Sequence, residues 1–448
     1  MPRDAQKPKP LRSLATSALS RGLRGSMAGA GAAARLAGGA LQKLVSSSET
    51  AQAIDARTRA VLASRLRDEL GELKGLAMKA GQLASYMDFA MPSGARRILA
   101  ELQDRTVGMA PDVAAQVVRE ELGAPPGELF AEWDESPFAA ASIGQVHRAR
   151  LADGREVAVK VQYPGIDRAI ASDLKSVGAL DAIGGLVFRG LERGAVLREL
   201  SDRLAEECDY RHEAESQREF RRLFSDRPEI VVPAVVAERS TRRLLTTELV
   251  HGRRFQEFAR EASQEERNRA GELIWDFAFG AIYRWGIFNA DPHPGNYLFL
   301  EGDRVCFLDF GCVKRFPDRL VAAWKRLIPA CVRGDRATFD ALVGEFGFAP
   351  NPASYDYDYH HRMTLCVYEP FREDRTFRFT HEYVRKTWEV LVLENPNKTR
   401  MNLPKDWLFV NRLQWGLYAV LAELGAESNW HRRLWPLLDH GSASATGS

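Results

Sequence analysis

Three residues in the C-terminal half of the chain have the types and the spacing of a metal-dependent phosphate site. Asp291 is followed by Asn296 five residues later and by Asp309 after a further thirteen residues. Kinases use an acid, an amide and a second acid in this order to orient a hydroxyl group and to hold magnesium on nucleotide phosphates. Magnesium suits two oxygen ligands, because it keeps water and phosphate oxygens as its remaining ligands. The pattern predicts that Asp291 orients or deprotonates a nucleophile and that Asn296 and Asp309 bind magnesium.

For this chemistry, the surrounding elements must bring Asp291, Asn296 and Asp309 close to one another. Residues 297–300 and 304–308 are apolar runs separated by the turn sequence Glu-Gly-Asp, which predicts a β-hairpin leading from Asn296 to Asp309. His293 lies two residues after Asp291, where protein kinases carry a lysine, and it is a further catalytic candidate.

A second hairpin is predicted upstream, at residues 145–151 and 155–161 around Asp153-Gly154. This dipeptide favours a tight turn, because both of its positions tolerate a positive φ. Valines alternate along the second strand and share one of its faces, so Lys160 lies on the opposite face.

Lys160 stands in a valine-rich strand, where a buried lysine without an anionic partner would be costly. A nucleotide phosphate and a helix glutamate are its candidate partners. Glu207 and Glu213 are six residues apart and cannot share one helix face, so only one of them pairs with Lys160. We favour Glu213, which leaves Glu207 and Asp209 for a second polar site.

Further candidate nucleotide-binding residues lie before and after this hairpin in the chain. An alanine-rich loop precedes it, where kinases place a glycine-rich loop over the phosphates. The loop consists of Ala139, Ala140, Ala141 and Ser142. Strands are predicted at residues 229–235 and 243–249, and the second leads into a hinge whose backbone, at Glu248 and Val250, could bind an adenine edge.

The amino-terminal segment differs from the rest of the chain in its charge and in its content of glycine and alanine. Residues 1–45 hold eight lysines or arginines and one acid, and residues 25–41 are mostly glycine and alanine. Such a segment could lie on an anionic membrane surface; the alternative is a disordered or organelle-targeting leader. Residues 55–90 then repeat apolar residues at helical spacing, and Lys79 and Gln82 share one face of that helix.

Composition narrows the function classes further. The 448 residues are 45% hydrophobic and 27% charged, and the net charge of +2 implies no general affinity for nucleic acid. The five cysteines are scattered without a paired spacing, which favours a reducing compartment. No run reaches the roughly eighteen apolar residues of a membrane-spanning helix.

With these motifs the chain resembles the UbiB family of atypical kinase-like proteins over about residues 60–435. The resemblance rests on Lys79-Ala80-Gly81-Gln82, the loop of Ala139 to Ser142, Glu207-Cys208-Asp209 and the set of Asp291, Asn296 and Asp309. It implies an α+β, bilobed protein-kinase-like fold with an N-terminal helical extension that folds over the site. It also implies binding of ATP with magnesium, ATPase activity, peripheral membrane association and support of ubiquinone biosynthesis.

The expected organisation is a basic leader at residues 1–50, the helical extension at 51–130, a kinase-like N-lobe with a helical insertion at 131–252 and a C-lobe at 253–448. Expected partners are anionic membrane lipid, quinone precursors or lipid-like small molecules, and enzymes of ubiquinone biosynthesis. A second copy of the chain, forming a homodimer, is a further candidate partner. The expected location is the cytoplasmic face of a bacterial inner membrane, with the matrix side of the mitochondrial inner membrane as the alternative.

Departures from protein kinases argue against protein substrates. No His-Arg precedes Asp291, and no Ala-Pro-Glu follows Gly311. Two alternatives to a UbiB-type kinase or ATPase remain. One is a small-molecule kinase of the aminoglycoside or choline type, favoured by His293; the other is a nucleotide-dependent scaffold that handles lipids with negligible turnover.

The Lys79 helix carries a regulatory hypothesis. Lys79, which shares a helix face with Gln82, would contact the acidic pair of Glu207 and Asp209 and hold the extension across the site as a lid. The alternative is that the salt bridge between Lys79 and this acidic pair only stabilises the fold and has no effect on catalysis.

Overall fold

The computed structural model describes residues 108–141, 143–168, 208–398, 400–402 and 404–439. Several sequence predictions lie outside these ranges: the leader at 1–50, the helix at 55–90 with Lys79 and Gln82, Ser142 and Glu207. The chain divides into two compact units. The first comprises Met1–Ala214 and Val235–Leu249, and the second comprises Glu215–Ala234 and Val250–Ser448.

Helices and strands are numbered separately in chain order. The helices are α1 (Pro111–Leu122), α2 (Pro126–Leu129), α3 (Tyr210–Leu223), α4 (Phe255–Glu261), α5 (Gln264–Trp275), α6 (Ala281–Trp285), α7 (Asp318–Arg333), α8 (Arg336–Glu345), α9 (Tyr357–Val367), α10 (Glu369–Arg372), α11 (His381–Trp388), α12 (Lys405–Leu424) and α13 (Trp430–Asp439). The strands are β1 (Glu132–Trp133), β2 (Ala139–Ala141), β3 (Gly144–Arg150), β4 (Glu156–Gln162), β5 (Ile230–Val231), β6 (Leu244–Glu248), β7 (Arg253–Arg254), β8 (Ile287–Asn289), β9 (Tyr297–Leu300), β10 (Arg304–Phe307), β11 (Val313–Arg315), β12 (Phe377–Arg378) and β13 (Glu427–Ser428).

The first unit is an antiparallel sheet in the order β1-β3-β4-β6, with β2 paired to β3. The valines of β4 are buried, whereas Lys160 on the other face is only partly buried, as the two-residue alternation predicts. Helix α1 buries Val117 and Val118 and ends at Gly123, which adopts the left-handed conformation that closes helices.

Two local predictions about this sheet are wrong in detail. The loop between β3 and β4 is longer than a two-residue turn: Leu151 N–H donates to Arg155 O, and only Gly154 has a positive φ, at 88°. Asp153 does not have a positive φ, and its carboxylate accepts the Arg155 N–H. The alanine-rich segment expected as a loop forms strand β2, since its backbone pairs with the start of β3.

Gly144, the first residue of β3, is the position in this sheet where a side chain is excluded by packing. A Cβ atom there would collide with the Val161 carbonyl oxygen and lie 2.9 Å from the Tyr210 hydroxyl. We expect Gly144→Ala to lower the free energy of unfolding by about 1–3 kcal/mol, the usual cost of overpacking. Urea unfolding measures this. The control is Gly127→Ala in α2, where a Cβ meets no atom within 4 Å; equal effects of the two changes would contradict the prediction.

The second unit contains a sheet in the order β5-β10-β9-β7 and a separate pair of strands, β11 and β8. The hairpin predicted after Asn296 is confirmed as β9 and β10. The strand predicted at 229–235 is wrong in extent, because only β5 forms, and β5 pairs in parallel with β10. Pro233 interrupts the segment, since proline has no N–H for a ladder hydrogen bond.

The aromatic C-terminal region forms helices, as expected. Trp407 of α12 and Trp430 of α13 are buried in the core of the second unit, together with Trp275 and Trp324. No helix among the described residues is long and apolar enough to cross a membrane.

His360 of α9 makes the stability of the second unit depend on pH. Burial lowers its pKa to about 4, helped by the nearby His361, and its Nδ1 lies 2.6 Å from the Tyr355 hydroxyl. An unfolded histidine has a pKa of about 6.5. Because the folded pKa is the lower one, this contribution to stability is complete above about pH 6.5 and is lost as the pH falls toward 4.

We therefore expect His360 to lower the free energy of unfolding by about 2 kcal/mol between about pH 7 and about pH 5. Urea unfolding at the two pH values measures the loss. In His360→Gln, which does not titrate, the loss should be smaller by that amount. An identical pH dependence in wild type and variant would show that His360 is not responsible.

Candidate active site

Lys160 forms an ion pair within the first unit. Its Nζ lies 2.7 Å from Glu213 Oε1 and 3.0 Å from Glu213 Oε2, so the lysine is held by both carboxylate oxygens. The Glu213 side chain is 6% exposed and that of Lys160 is 18% exposed. The Glu213 side chain is therefore largely out of water, while the Lys160 side chain keeps partial access to solvent. The favoured partner from the sequence, Glu213, is the residue that Lys160 contacts.

The position of Glu213 is set by two contacts at the start of α3. Gln162 at the end of β4 donates from Nε2 to Cys208 O at 3.0 Å, and Tyr210 N–H donates to Arg242 O at 2.9 Å. The Tyr210 ring also lies 5.3 Å from Lys160 Nζ. The two bonds hold the start of α3 and the residues just before it against β4 and the segment that precedes β6, and Glu213 faces Lys160 of β4.

The remaining candidate nucleotide-binding residues of the first unit lie in β2 and at the end of β6. Ala139, Ala140 and Ala141 form β2, next to the turn into β3. Glu248 is exposed at the end of β6, and Leu249 N–H still donates to Glu156 O on β4. Val250, the other adenine candidate, is the first residue of the second unit after that boundary.

Asp291 begins the loop that follows β8. Its backbone oxygen accepts from His293 N–H at 2.8 Å and from Asn296 Nδ2 at 3.1 Å, so the amide folds back onto the residue that carries the acid. Asp291 is buried, at 9% exposure. Burial, together with the Asp291 carboxylate, raises the pKa of the neighbouring Tyr297. The phenol therefore stays neutral and is excluded as a base.

His293 braces the same loop. Its Nδ1 accepts the Gly295 N–H at 3.0 Å, which means that the neutral ring carries its proton on Nε2. His293 O accepts the Asn296 N–H at 2.9 Å. The histidine thus shapes the turn that places Asn296 and presents an N–H donor at its other nitrogen.

Asp309 follows β10, and its neighbours fix its backbone. Its Oδ1 accepts the Gly311 N–H at 2.9 Å, and Phe310 is buried with its ring 5.5 Å from that of Phe220. Leu308 N–H donates to Asn296 O at 3.0 Å. The structure therefore brings the loops of Asn296 and Asp309 together.

The oxygen atoms of these two residues fit magnesium. Asn296 uses its Nδ2 on Asp291 O, so its Oδ1 is the atom available to a cation. Asp309 supplies a half-buried carboxylate. The described part of the chain has no group of three or more His, Cys, Asp or Glu residues able to hold a metal ion. Two oxygen ligands match a metal that completes its shell with water and phosphate oxygens, and they match poorly a metal that needs a full protein cage.

Two residues show what sequence reasoning left unresolved. Asp209, expected in a second polar site, pairs with Arg211, whose Nε lies 2.9 Å from Asp209 Oδ1. This contact lowers the pKa of the Asp209 carboxyl. Asn289, which stands two residues before Asp291 and was not a candidate from the sequence, hydrogen-bonds to both loops of the site through its buried side-chain amide. A polar residue directly after the apolar pair Ile287-Phe288 was the available sequence signal.

Comparisons with known proteins match most of the chain. The family model described as "ABC1 atypical kinase-like domain" matches residues 101–342. Atypical kinase COQ8, mitochondrial, of Saccharomyces cerevisiae is 29% identical over 81% of this chain and 73% of its own length. The mitochondrial atypical kinase coq-8 of Caenorhabditis elegans is 29% identical over 81% of this chain, but the chain spans only 49% of that relative. COQ8B of Danio rerio is 30% identical, with 59% of its length covered.

One solved structure is similar to this chain over a larger share of its own length than the curated relatives are. Rv3197 of Mycobacterium tuberculosis, in complex with erythromycin, is 30% identical and has a TM-score of 0.63. The similarity covers 85% of this chain and 96% of that chain.

Proposed function

The chain belongs to the UbiB, or ABC1, family of atypical kinase-like proteins, and we propose that it binds ATP with magnesium and transfers or hydrolyses the γ-phosphoryl group. One observation carries the proposal: hydrogen bonds join the loops of Asp291, Asn296 and Asp309. The kinase-like fold is confirmed.

In this proposal each polar group has one task. Lys160, held by Glu213, contacts phosphate oxygens, and Asn296 and Asp309 hold magnesium. Magnesium supplies positive charge to the phosphates when it is bound. The acceptor hydroxyl gives its proton to Asp291, its oxygen bonds to the γ-phosphorus, and the bond to the β-phosphate oxygen breaks to release ADP. With water as the acceptor the products are ADP and phosphate.

The biological setting is part of the same proposal. The protein would support ubiquinone biosynthesis as a peripheral protein on the cytoplasmic face of a bacterial inner membrane, or on the matrix side if it is mitochondrial. The mitochondrial atypical kinases among its relatives support the mitochondrial alternative. Anionic lipid would attract the basic leader by roughly 1 kcal/mol per basic residue near the surface.

The test measures ATP hydrolysis with and without magnesium, anionic liposomes and quinone-like phenols. Activity that needs magnesium and rises with liposomes or phenols supports the proposal. No ATP binding and no turnover under any condition overturns it. Co-sedimentation with anionic liposomes, for the full chain and for a chain lacking residues 1–45, tests the leader separately: equal sedimentation would exclude its role.

A small-molecule kinase is the second candidate, because His293 presents an N–H donor beside Asp291. The Mycobacterium tuberculosis relative was solved with erythromycin, so an acceptor panel should contain erythromycin, aminoglycosides and choline. Stoichiometric phosphorylation of one soluble acceptor would favour this candidate. Magnesium-dependent ATP binding with negligible turnover on all acceptors would instead favour a lipid-handling scaffold.

A further inference from the structure

Asn289, the last residue of β8, contacts both loops of the candidate site with its side chain. Its Oδ1 accepts the Asp291 N–H at 3.1 Å, and its Nδ2 donates to the Asp309 carbonyl oxygen. The residue is 9% exposed. We propose that Asn289 is the positioning residue that couples the loop of the catalytic acid to the loop of the metal-binding acid. This inference rests on the proposed function, which assigns those two roles.

The orientation of the amide is fixed by its partners. A backbone N–H can only donate, so the atom facing Asp291 N must be the side-chain oxygen. A carbonyl oxygen can only accept, so the atom facing Asp309 O must be the NH₂ group. Both ends of the amide are therefore used, and a flipped amide would lose both hydrogen bonds.

No other side chain of similar size supplies this pair of contacts. Aspartate at position 289 would keep the acceptor for Asp291 N–H but would place an oxygen against the Asp309 carbonyl. Alanine would remove both contacts. Each change leaves a buried polar group without its partner, which costs more than the average worth of one hydrogen bond.

The backbone around Asn289 explains why its side chain transmits position. Asn289 pairs with Val313 between β8 and β11, and Ala290 N–H donates to Cys312 O at 2.8 Å. These bonds hold the chain before Asp291 against the chain after Gly311. The side chain of Asn289 extends this link to Asp309 itself. A displacement of Asp291 or of Asp309 would therefore displace the other residue as well.

The second unit contains a matched control at Asn395. Its Oδ1 accepts the Asn397 N–H at 2.9 Å, and its Nδ2 donates to Leu391 O at 3.1 Å. It is 1% exposed, so it is at least as buried as Asn289. The same chemical change at Asn395 therefore disturbs a similar network that contains neither Asp291 nor Asp309.

The first experiment compares magnesium-dependent ATP binding in the full chain of wild type, Asn289→Asp, Asn289→Ala and Asn395→Asp. A ligand-supporting residue outside the metal shell typically contributes 10–100-fold to metal affinity. We expect both Asn289 variants to need about tenfold more magnesium for half-maximal binding and Asn395→Asp to match wild type. An added negative charge alone would strengthen magnesium binding, so a tighter Asn289→Asp overturns the inference.

The second experiment needs no nucleotide. Hydrogen exchange followed by mass spectrometry should show faster exchange in Asn289→Ala in peptides covering 289–296 and, together with them, 309–312. Faster exchange confined to 289–296 overturns the coupling. If wild type binds no ATP, the proposed function fails, while this exchange result still supports or overturns the link between the two loops.

Discussion

Asp309→Asn should abolish magnesium-dependent stabilisation by ATP. The change removes the negative charge of the carboxylate proposed to hold the metal, while its size and its acceptor for Gly311 N–H are kept. Asn296 and the new amide would then offer magnesium only neutral oxygens, and a neutral ligand set does not offset the metal's reluctance to lose water. We expect the thermal shift by ATP with magnesium to vanish and turnover to fall by about a hundredfold or more.

Thermal shift with ATP, with and without magnesium, measures the first effect, and ADP release measures the second. The control is Asp303→Asn in the turn of the same hairpin. Asp303 is exposed and has a φ of 55°, which asparagine tolerates. This variant should behave as wild type. Hydrolysis by Asp309→Asn at the wild-type rate would refute the metal assignment.

Asp291→Asn should separate turnover from binding. An isosteric amide cannot take the acceptor's proton, and a positioned base contributes about 10²–10⁴-fold to rate. The contacts made by the Asp291 backbone, from His293 N–H and Asn296 Nδ2, do not involve its carboxylate and should persist. We expect kcat to fall by that factor while the thermal shift by ATP with magnesium is retained.

Together, Asp291→Asn and Asp309→Asn show which acid is the catalytic base and which is the metal ligand. Loss of nucleotide binding in Asp291→Asn as severe as in Asp309→Asn would make Asp291 a metal ligand and leave the base unassigned. Unchanged kcat in Asp291→Asn would mean that no proton transfer to this carboxylate limits the reaction. Unfolding in urea, measured beside both variants, separates a loss of fold from a loss of function.

The order of motifs along the chain was enough to identify the family and the kinase-like fold. Hairpins are local structures, so residues 297–308 could be assigned from two apolar runs and a turn. Two-residue alternation likewise placed Lys160 opposite the buried valines, because side chains of a strand alternate between its faces.

Local patterns failed where a segment's partner lies far along the chain. Residues 229–235 have the composition of a strand, yet only Ile230 and Val231 form one, paired with β10, and Val235 makes a single bridge to Thr247. The alanine-rich segment has no strand pattern of its own and becomes β2 because β3 offers it hydrogen-bond partners.

The sequence by itself determined the identities of the acids, the amide and the lysine, and the faces on which local periodicity puts them. Only the tertiary structure decided which groups meet. Glu213 faces Lys160 across 53 residues of chain because Gln162 and Arg242 hold the start of α3 through Cys208 and Tyr210. Asn289 reaches Asp309 across 20 residues because β8 pairs with β11. Periodicity repeats within one element, whereas contacts between elements depend on how separate segments pack, which no local pattern encodes.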